Sequence, residues 1–220
     1  MSELRHELKH ELGTAELLAL RQRLRAVLDP DKHSPDGRYS VRSLYFDDAR
    51  DTALREKQDG VGSRQKFRLR LYNGDPGFVK LEKKIKRNGL CCKLTEPMRA
   101  DTVRAVISGS SWTPEGPLLQ ELKARMASGL LPKTIVDYTR EAYTFPAGNV
   151  RVTLDYDIRS GLDCTALFDA GCTTVPVPGY PAILEVKWDE FLPDIVRDAV
   201  ALRGIRTGAF SKYAACRAYG

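Results

Sequence analysis

Residues 66–72 read KFRLRLY. Side chains alternate across a strand, so Lys66, Arg68, Arg70 and Tyr72 share one face while Phe67, Leu69 and Leu71 share the other. Two cations about 5 Å apart repel by roughly 3 kcal/mol at an effective dielectric near 20, before salt screening. A face made almost wholly of Lys and Arg therefore needs something to favour it.

The neighbouring segments deepen the question. KFRLRLY, the turn NGDPG, FVKLEKKIK, the turn RNG and LCCKLTE alternate in the same manner, and each Asn-Gly pair sits between two alternating runs. The pattern predicts a three-stranded meander with two hairpins. Its charged face carries Lys66, Arg68 and Arg70, then Lys80, Glu82, Lys84 and Lys86, with Lys93 on the third strand. Residues 64–93 hold ten basic side chains against two acidic ones, a net of +8. The whole 220-residue chain carries only +6, so the rest sums to −2.

Other segments repeat the division. LRHELKHEL alternates Leu4, His6, Leu8, His10 and Leu12 against Glu3, Arg5, Glu7, Lys9 and Glu11. Arg151, Thr153 and Asp155 oppose Val150, Val152 and Leu154, and Glu185 and Lys187 oppose Leu184, Val186 and Trp188. SVRSLYFD at 40–47 and TIVDYTREAYTF at 134–145 read as further strands. Helices are expected at 14–28, capped by Thr14 with Leu17, Leu18, Leu24 and Leu28 as its apolar stripe, at 101–108 capped by Asp101, at 115–127, and near 193–203 and 208–218.

Alternation of this kind usually means a sheet with one solvated face. The concentration of cations favours a different arrangement, in which the sheet curls into a closed barrel, encloses its charged faces, and leaves helices to cover the apolar exterior. The expected fold is thus α+β, an antiparallel barrel of about eight strands forming a charged tunnel, with residues 1–220 as one domain. Glu7, Glu82, Asp155 and Glu185 lie among the cations and are hard-oxygen ligands suited to Mg²⁺ or Mn²⁺. Glu7 serves equally well to orient Arg5 or Lys9. Arginine and lysine for phosphate oxygens, with carboxylates for a divalent ion, suit phosphoryl transfer.

Composition narrows the class. Hydrophobic residues at 42% support a folded core, and no apolar run approaches the ~18 residues of a membrane span. The N-terminus lacks the pattern of a signal peptide. Five cysteines without CxxC spacing read as free thiols. A cytoplasmic protein is expected.

In order along the chain, RHELK at 5–9, SLYFDD at 43–48, KFRLRLY at 66–72, LEKK at 81–84, Lys93, DYTREAY at 137–143, RVTLDYDIR at 151–159, LEVK at 184–187 and FSKY at 210–213 resemble the VTC domain. This is the polyphosphate polymerase branch of the triphosphate tunnel metalloenzymes. The resemblance implies that Lys9, Arg68, Arg70, Lys84, Lys93, Arg140, Arg159, Ser211 and Lys212 bind phosphates and that Glu185 binds a metal, Mn²⁺ or Mg²⁺, with Glu7 a second metal candidate. Arg68, Arg70, Lys84 and Lys93 would act on the transferring group. Arg5, Lys66, Lys80, Arg151 and Lys187 are further tunnel candidates from strand parity alone.

Where the wider superfamily begins ExExK, this chain has Arg5, Glu7 and Lys9, which fits the polymerase branch better than a metal-rich triphosphatase. The implied reaction moves the γ-phosphoryl group of ATP onto phosphate or polyphosphate. An inorganic or nucleoside triphosphatase is the alternative enzyme, and a polyphosphate- or RNA-binding module the alternative of another class. RNA binding is disfavoured, because only Tyr72 and Phe78 are aromatic on the meander's basic face. Coupling to the inner face of a membrane would need a separate membrane protein.

Overall fold

The computed structural model describes residues 5–34, 36–87, 90–179, 182–202 and 210–218. The strands are β1 (His6–Leu12), β2 (Asp29–Pro30), β3 (Tyr39–Asp47), β4 (Ser63–Tyr72), β5 (Val79–Arg87), β6 (Leu90–Met98), β7 (Leu131–Phe145), β8 (Val150–Ser160), β9 (Val175–Pro176) and β10 (Ala182–Trp188). The helices are α1 (Thr14–Val27), α2 (Thr52–Gln58), α3 (Ala100–Ser108), α4 (Pro117–Ala127), α5 (Asp194–Val200) and α6 (Lys212–Arg217).

Eight strands form one antiparallel sheet in the order β1-β10-β8-β7-β3-β4-β5-β6, with β2 and β9 as short additions on β7 and β8. The meander is as expected, with Arg70 opposite Lys80 and Lys84 opposite Lys93. Its first turn places Asn73 and Gly74 at φ of 51° and 69°, the left-handed pair that a tight hairpin requires. The Asn-Gly pair of the second turn, residues 88 and 89, lies outside the described residues.

The ends of this path, β1 and β6, are not hydrogen-bonded to each other among the described residues. The expected barrel is therefore a curled sheet in which side chains link β1 to β5. Lys84 Nζ on β5 lies 3.4 Å from Glu7 Oε2 on β1, across the interior. Both carry charge, so the mouth between the edges is polar.

Two apolar clusters cover the outside. Leu17, Leu20 and Leu24 of α1 and Val196, Ala199 and Val200 of α5 pack on Leu12, Val152, Leu154, Leu184 and Val186. Val103 and Val106 of α3 and Leu118, Leu119 and Leu122 of α4 pack on Leu44, Phe46, Phe67, Leu69 and Leu81. These are the strand faces opposite the charges, as strand parity predicts.

Several local expectations change. Gly13, not Thr14, is the N-cap of α1, and Arg99, not Asp101, that of α3. Leu18 is 56% exposed, while Leu20 completes the stripe because 17, 20 and 24 share a helical face. The last helix begins at Lys212, and Thr207 and Gly208, where its start was expected, lie outside the described residues. Helix α2 was not anticipated. Among the described residues no helix is long and apolar enough to cross a membrane.

A third cluster lies on the charged side of the sheet. Tyr39, Val41, Tyr45, Val136, Tyr138, Ile158 and Ile183 meet Tyr213 and Cys216 of α6 there. Helix α6 therefore packs against the interior rather than outside. Asp47 holds it, accepting hydrogen bonds from Tyr213 Oη at 2.7 Å and from the backbone N–H groups of Asp48, Ala53 and Leu54.

Leu20 is fully buried between α1 and the sheet. Leu20→Ala is expected to destabilise the fold by about 2–5 kcal/mol, read as a lower urea midpoint with an unchanged slope.

Candidate active site

The inner face gathers cations from six strands and one helix. Lys66, Arg68 and Arg70 come from β4, Lys84 from β5, Lys93 from β6, Lys9 from β1, Arg140 from β7, Lys187 from β10 and Lys212 from α6. Four carboxylates face them, namely Glu7, Glu82, Asp155 and Glu185. Nine positive groups against four negative ones leave a surplus of five.

Each carboxylate serves more than one cation. Glu82 lies beneath the meander and accepts from Arg68 Nε at 2.7 Å, with Arg70 Nη1 at 3.6 Å and Lys93 Nζ at 3.3 Å. Burial pushes its carboxyl upward, but Arg68, Arg70 and Lys93 outweigh that and hold it well below the usual carboxylate range. Asp155, fully buried, takes a bidentate pair from Arg140 at 2.5 and 2.7 Å and Lys212 Nζ at 2.6 Å. Against the opposing effect of burial, these two cations lower it to about 2.

Glu7 and Glu185 form the third knot. Lys9 Nζ sits 3.3 Å from an oxygen of each, and Lys187 also reaches both. Burial opposes ionisation of each carboxylate, and the lysines more than compensate, so both titrate low. Oxygens of both carboxylates thus face the Lys9 ammonium. Among the described residues no group of three or more His, Cys, Asp or Glu assembles. Two carboxylates with water and substrate oxygens suffice for Mg²⁺ or Mn²⁺, so the donor set fits such an ion at Glu7 and Glu185.

The floor is aromatic. Arg68 Nη1 donates to Tyr45 Oη at 2.8 Å, and Tyr45 stacks on Tyr213 with centroids 5.0 Å apart. Tyr138 lies beneath Arg140 and Lys212, at 5.3 and 4.7 Å from its centroid. Neither Tyr45 nor Tyr213 was singled out from sequence, although Tyr45 shares the parity of Ser43, which accepts from Arg70 at 3.1 Å. Above this floor a cavity of about 320 Å³ opens between Lys9, Lys66, Lys84, Lys86, Arg64 and Ser211.

Ser211 is the N-cap of α6, and Lys66 Nζ lies 3.4 Å from its hydroxyl oxygen. Burial pushes the Lys66 ammonium down to about 8. Tyr45 is displaced in the same direction, against burial, by Arg68, Lys66 and Arg70.

Four expected residues stand at the edge of the cluster or apart from it. Arg5 lies beyond the start of β1 and donates to Asp189 at 2.6 Å and to the Asn149 carbonyl, at the rim. Arg159 bonds to Thr174 Oγ1 at 2.8 Å, away from the cluster. Strict alternation would have turned it inward, but Asp157 has a φ of 51° and the β7–β8 register slips between Asp137 and Thr139. One extra residue on β8 moves Arg159 to the opposite face. Arg151 lies at the edge of the interior, 3.1 Å from Tyr39 Oη and 2.9 Å from Asp31 Oδ2. Lys80, opposite Arg70, lies over the Phe78 ring.

A curled antiparallel sheet lined by lysine, arginine and a few carboxylates, with helices over its apolar exterior, defines the triphosphate tunnel class. Within that class the chain belongs to the VTC domain family, whose profile matches residues 4–219.

One solved structure agrees in fold, and a second superposes less closely. A Bacillus halodurans protein provisionally named an adenylate cyclase superposes with a TM-score of 0.54 at 13% identity, over 84% of this chain and 81% of its own. The PH1012 protein of Pyrococcus horikoshii OT3 gives 0.49 at 14% identity, over 91% and 92%. No curated protein matches the chain.

Lys66 provides a test of polyanion binding here. Near pH 8 about half of its side chains are neutral, and a bound polyanion favours the charged form. Binding of a sulfated polyanion, which has no titrating proton of its own at pH 8, is therefore expected to take up part of a proton, and Tyr45, shifted the same way, adds to it. Calorimetry in Tris and in HEPES measures this uptake. Its absence would mean that the anion does not approach Lys66.

Proposed function

We propose that this chain is a polyphosphate polymerase, acting as a single domain over residues 1–220, that transfers the γ-phosphoryl group of ATP to phosphate or to a growing polyphosphate chain. The observation that carries the reading is the surplus of cations on a partly buried inner face. Buried cations without full compensation are costly. A linear polyanion removes that cost along the whole tunnel.

In the proposed reaction an acceptor phosphate oxygen attacks the γ-phosphorus. A new P–O–P link forms, the bond from the γ-phosphorus to the β,γ-bridging oxygen breaks, and its electron pair leaves with ADP. No Ser, Cys or His nucleophile is needed. Arg68 and Arg70, already oriented by Glu82 and Ser43, are placed to stabilise charge on the equatorial oxygens of the transferring group. Lys84 and Lys93 face each other across β5 and β6 and would hold its other side.

Lys9, Lys66, Arg140, Lys187, Ser211 and Lys212 would position donor and acceptor phosphates, with Arg151 at the rim. Glu7 and Glu185 would hold Mg²⁺ or Mn²⁺, which supplies charge neutralisation of phosphate oxygens when bound. Asp155 keeps Arg140 and Lys212 extended into the tunnel rather than serving the ion. Arg5 and Arg159 are left out of the site by their partners. A separate membrane protein would be the partner for export.

The purified protein incubated with ATP, Mn²⁺ and a pyrophosphate primer is expected to produce a ladder of chains on a gel. Arg68→Ala should lower turnover about 10²- to 10³-fold while its circular dichroism remains that of the native protein. Orthophosphate as the sole product would replace polymerisation with hydrolysis. Full activity in a folded Arg68→Ala variant would remove Arg68 from the chemistry.

A further inference from the structure

The strand that carries Arg68 and Arg70 does not end in another cation. Tyr72 occupies the next inward position, about 7 Å beyond Arg70 at two residues of strand rise. The β4–β5 register pairs Arg70 with Lys80, and continued by two residues it sets Tyr72 beside Phe78. The two rings are 6.3 Å apart, and Tyr39 meets Tyr72 edge-on at 5.8 Å.

Phe78 is 49% exposed, so its ring is open to a ligand. Lys80 Nζ lies 4.6 Å from its centroid and 5.9 Å from that of Tyr72. One end of the tunnel thus presents aromatic rings and an ammonium directly after the arginines. Phosphate oxygens gain nothing from ring faces. A nucleobase does, because it stacks on aromatic groups and offers ring nitrogens to a lysine donor.

We infer that Tyr72, Phe78 and Lys80 form the nucleobase subsite of the tunnel, where the base of a nucleoside triphosphate stacks while its phosphates run inward past Arg70 and Arg68. This rests on the proposed use of a nucleoside triphosphate as donor. Stacking discriminates weakly between bases, so ATP and GTP should bind within a few-fold of each other.

The test titrates a non-hydrolysable ATP analogue and inorganic tripolyphosphate into the wild type, Phe78→Ala, Phe78→Trp and Lys80→Met by calorimetry. Phe78→Ala should weaken the ATP analogue about tenfold and leave tripolyphosphate within twofold, while Phe78→Trp retains wild-type affinity for both. Equal loss for both ligands, or no loss for the ATP analogue, would overturn the subsite. So would failure of the wild type to bind the analogue more tightly than tripolyphosphate.

Because the readout is binding, it separates from the chemistry. A protein that forms no ladder yet loses nucleotide affinity in Phe78→Ala would keep the subsite and lose the polymerase. One that forms the ladder with unchanged Phe78→Ala affinity would do the reverse. Phe78 is half exposed and outside the three apolar clusters, so its replacement tests recognition rather than folding.

Discussion

The structure depends on keeping like charges close together out of bulk water. Arg68 and Arg70 sit two residues apart on one strand face, and both are largely buried. Such a pair holds only where a carboxylate lies between them, and Glu82 fills that place from the facing strand. The same device recurs at Asp155 beneath Arg140 and Lys212, and at Glu7 and Glu185 around Lys9. Carboxylates here act chiefly as springs that hold cations extended. They are too few to neutralise them, which leaves the interior with an appetite for anions and links ligand binding to stability.

That electrostatic arrangement needs a rigid frame, and Asp47 supplies part of it. It lies at the end of β3 and is 1% exposed. One carboxylate caps the backbone at the start of α2 and receives the phenol of Tyr213 on α6. Tyr213 in turn stacks on Tyr45, whose hydroxyl accepts from Arg68. Ser211 and Lys212 stand beside Tyr213 on the same segment. The position of the C-terminal cations and that of the strand arginines are thus set through one short chain of contacts.

Strand parity made most of this legible in the sequence. The period of two in KFRLRLY, FVKLEKKIK and LEVK assigned the charged faces correctly, because long strands with one apolar face tolerate no slip in register. Parity failed where the backbone breaks it. The left-handed Asp157 turns Arg159 outward. Helix α2 has no buried residue, so no apolar stripe announced it. Inward packing of α6 was equally hidden, since a stripe on a helix does not say which side of a sheet it will cover. Tyr45 and Asp47 escaped notice because both depend on Tyr213, more than a hundred residues away.

The two ends of the tunnel differ in a manner that bears on direction. β4 begins at Ser63, with Arg64 opposite Lys86, and ends with Tyr72 near Phe78, and its ten residues span about 30 Å. At the first end the cavity is walled by Lys57, Arg64, Lys66 and Lys86, with Phe210 as the one aromatic side chain in its lining. At the other the rings of Tyr39, Tyr72 and Phe78 dominate. Under the proposed function, a nucleotide entering at the aromatic end would point its γ-phosphate toward the cationic one, where an acceptor chain has charge to lie against. Reversing the nucleotide would set its base among ammonium groups and its phosphates against ring faces. The asymmetry along a single strand is then enough to orient donor and acceptor without any residue that recognises the length of the chain.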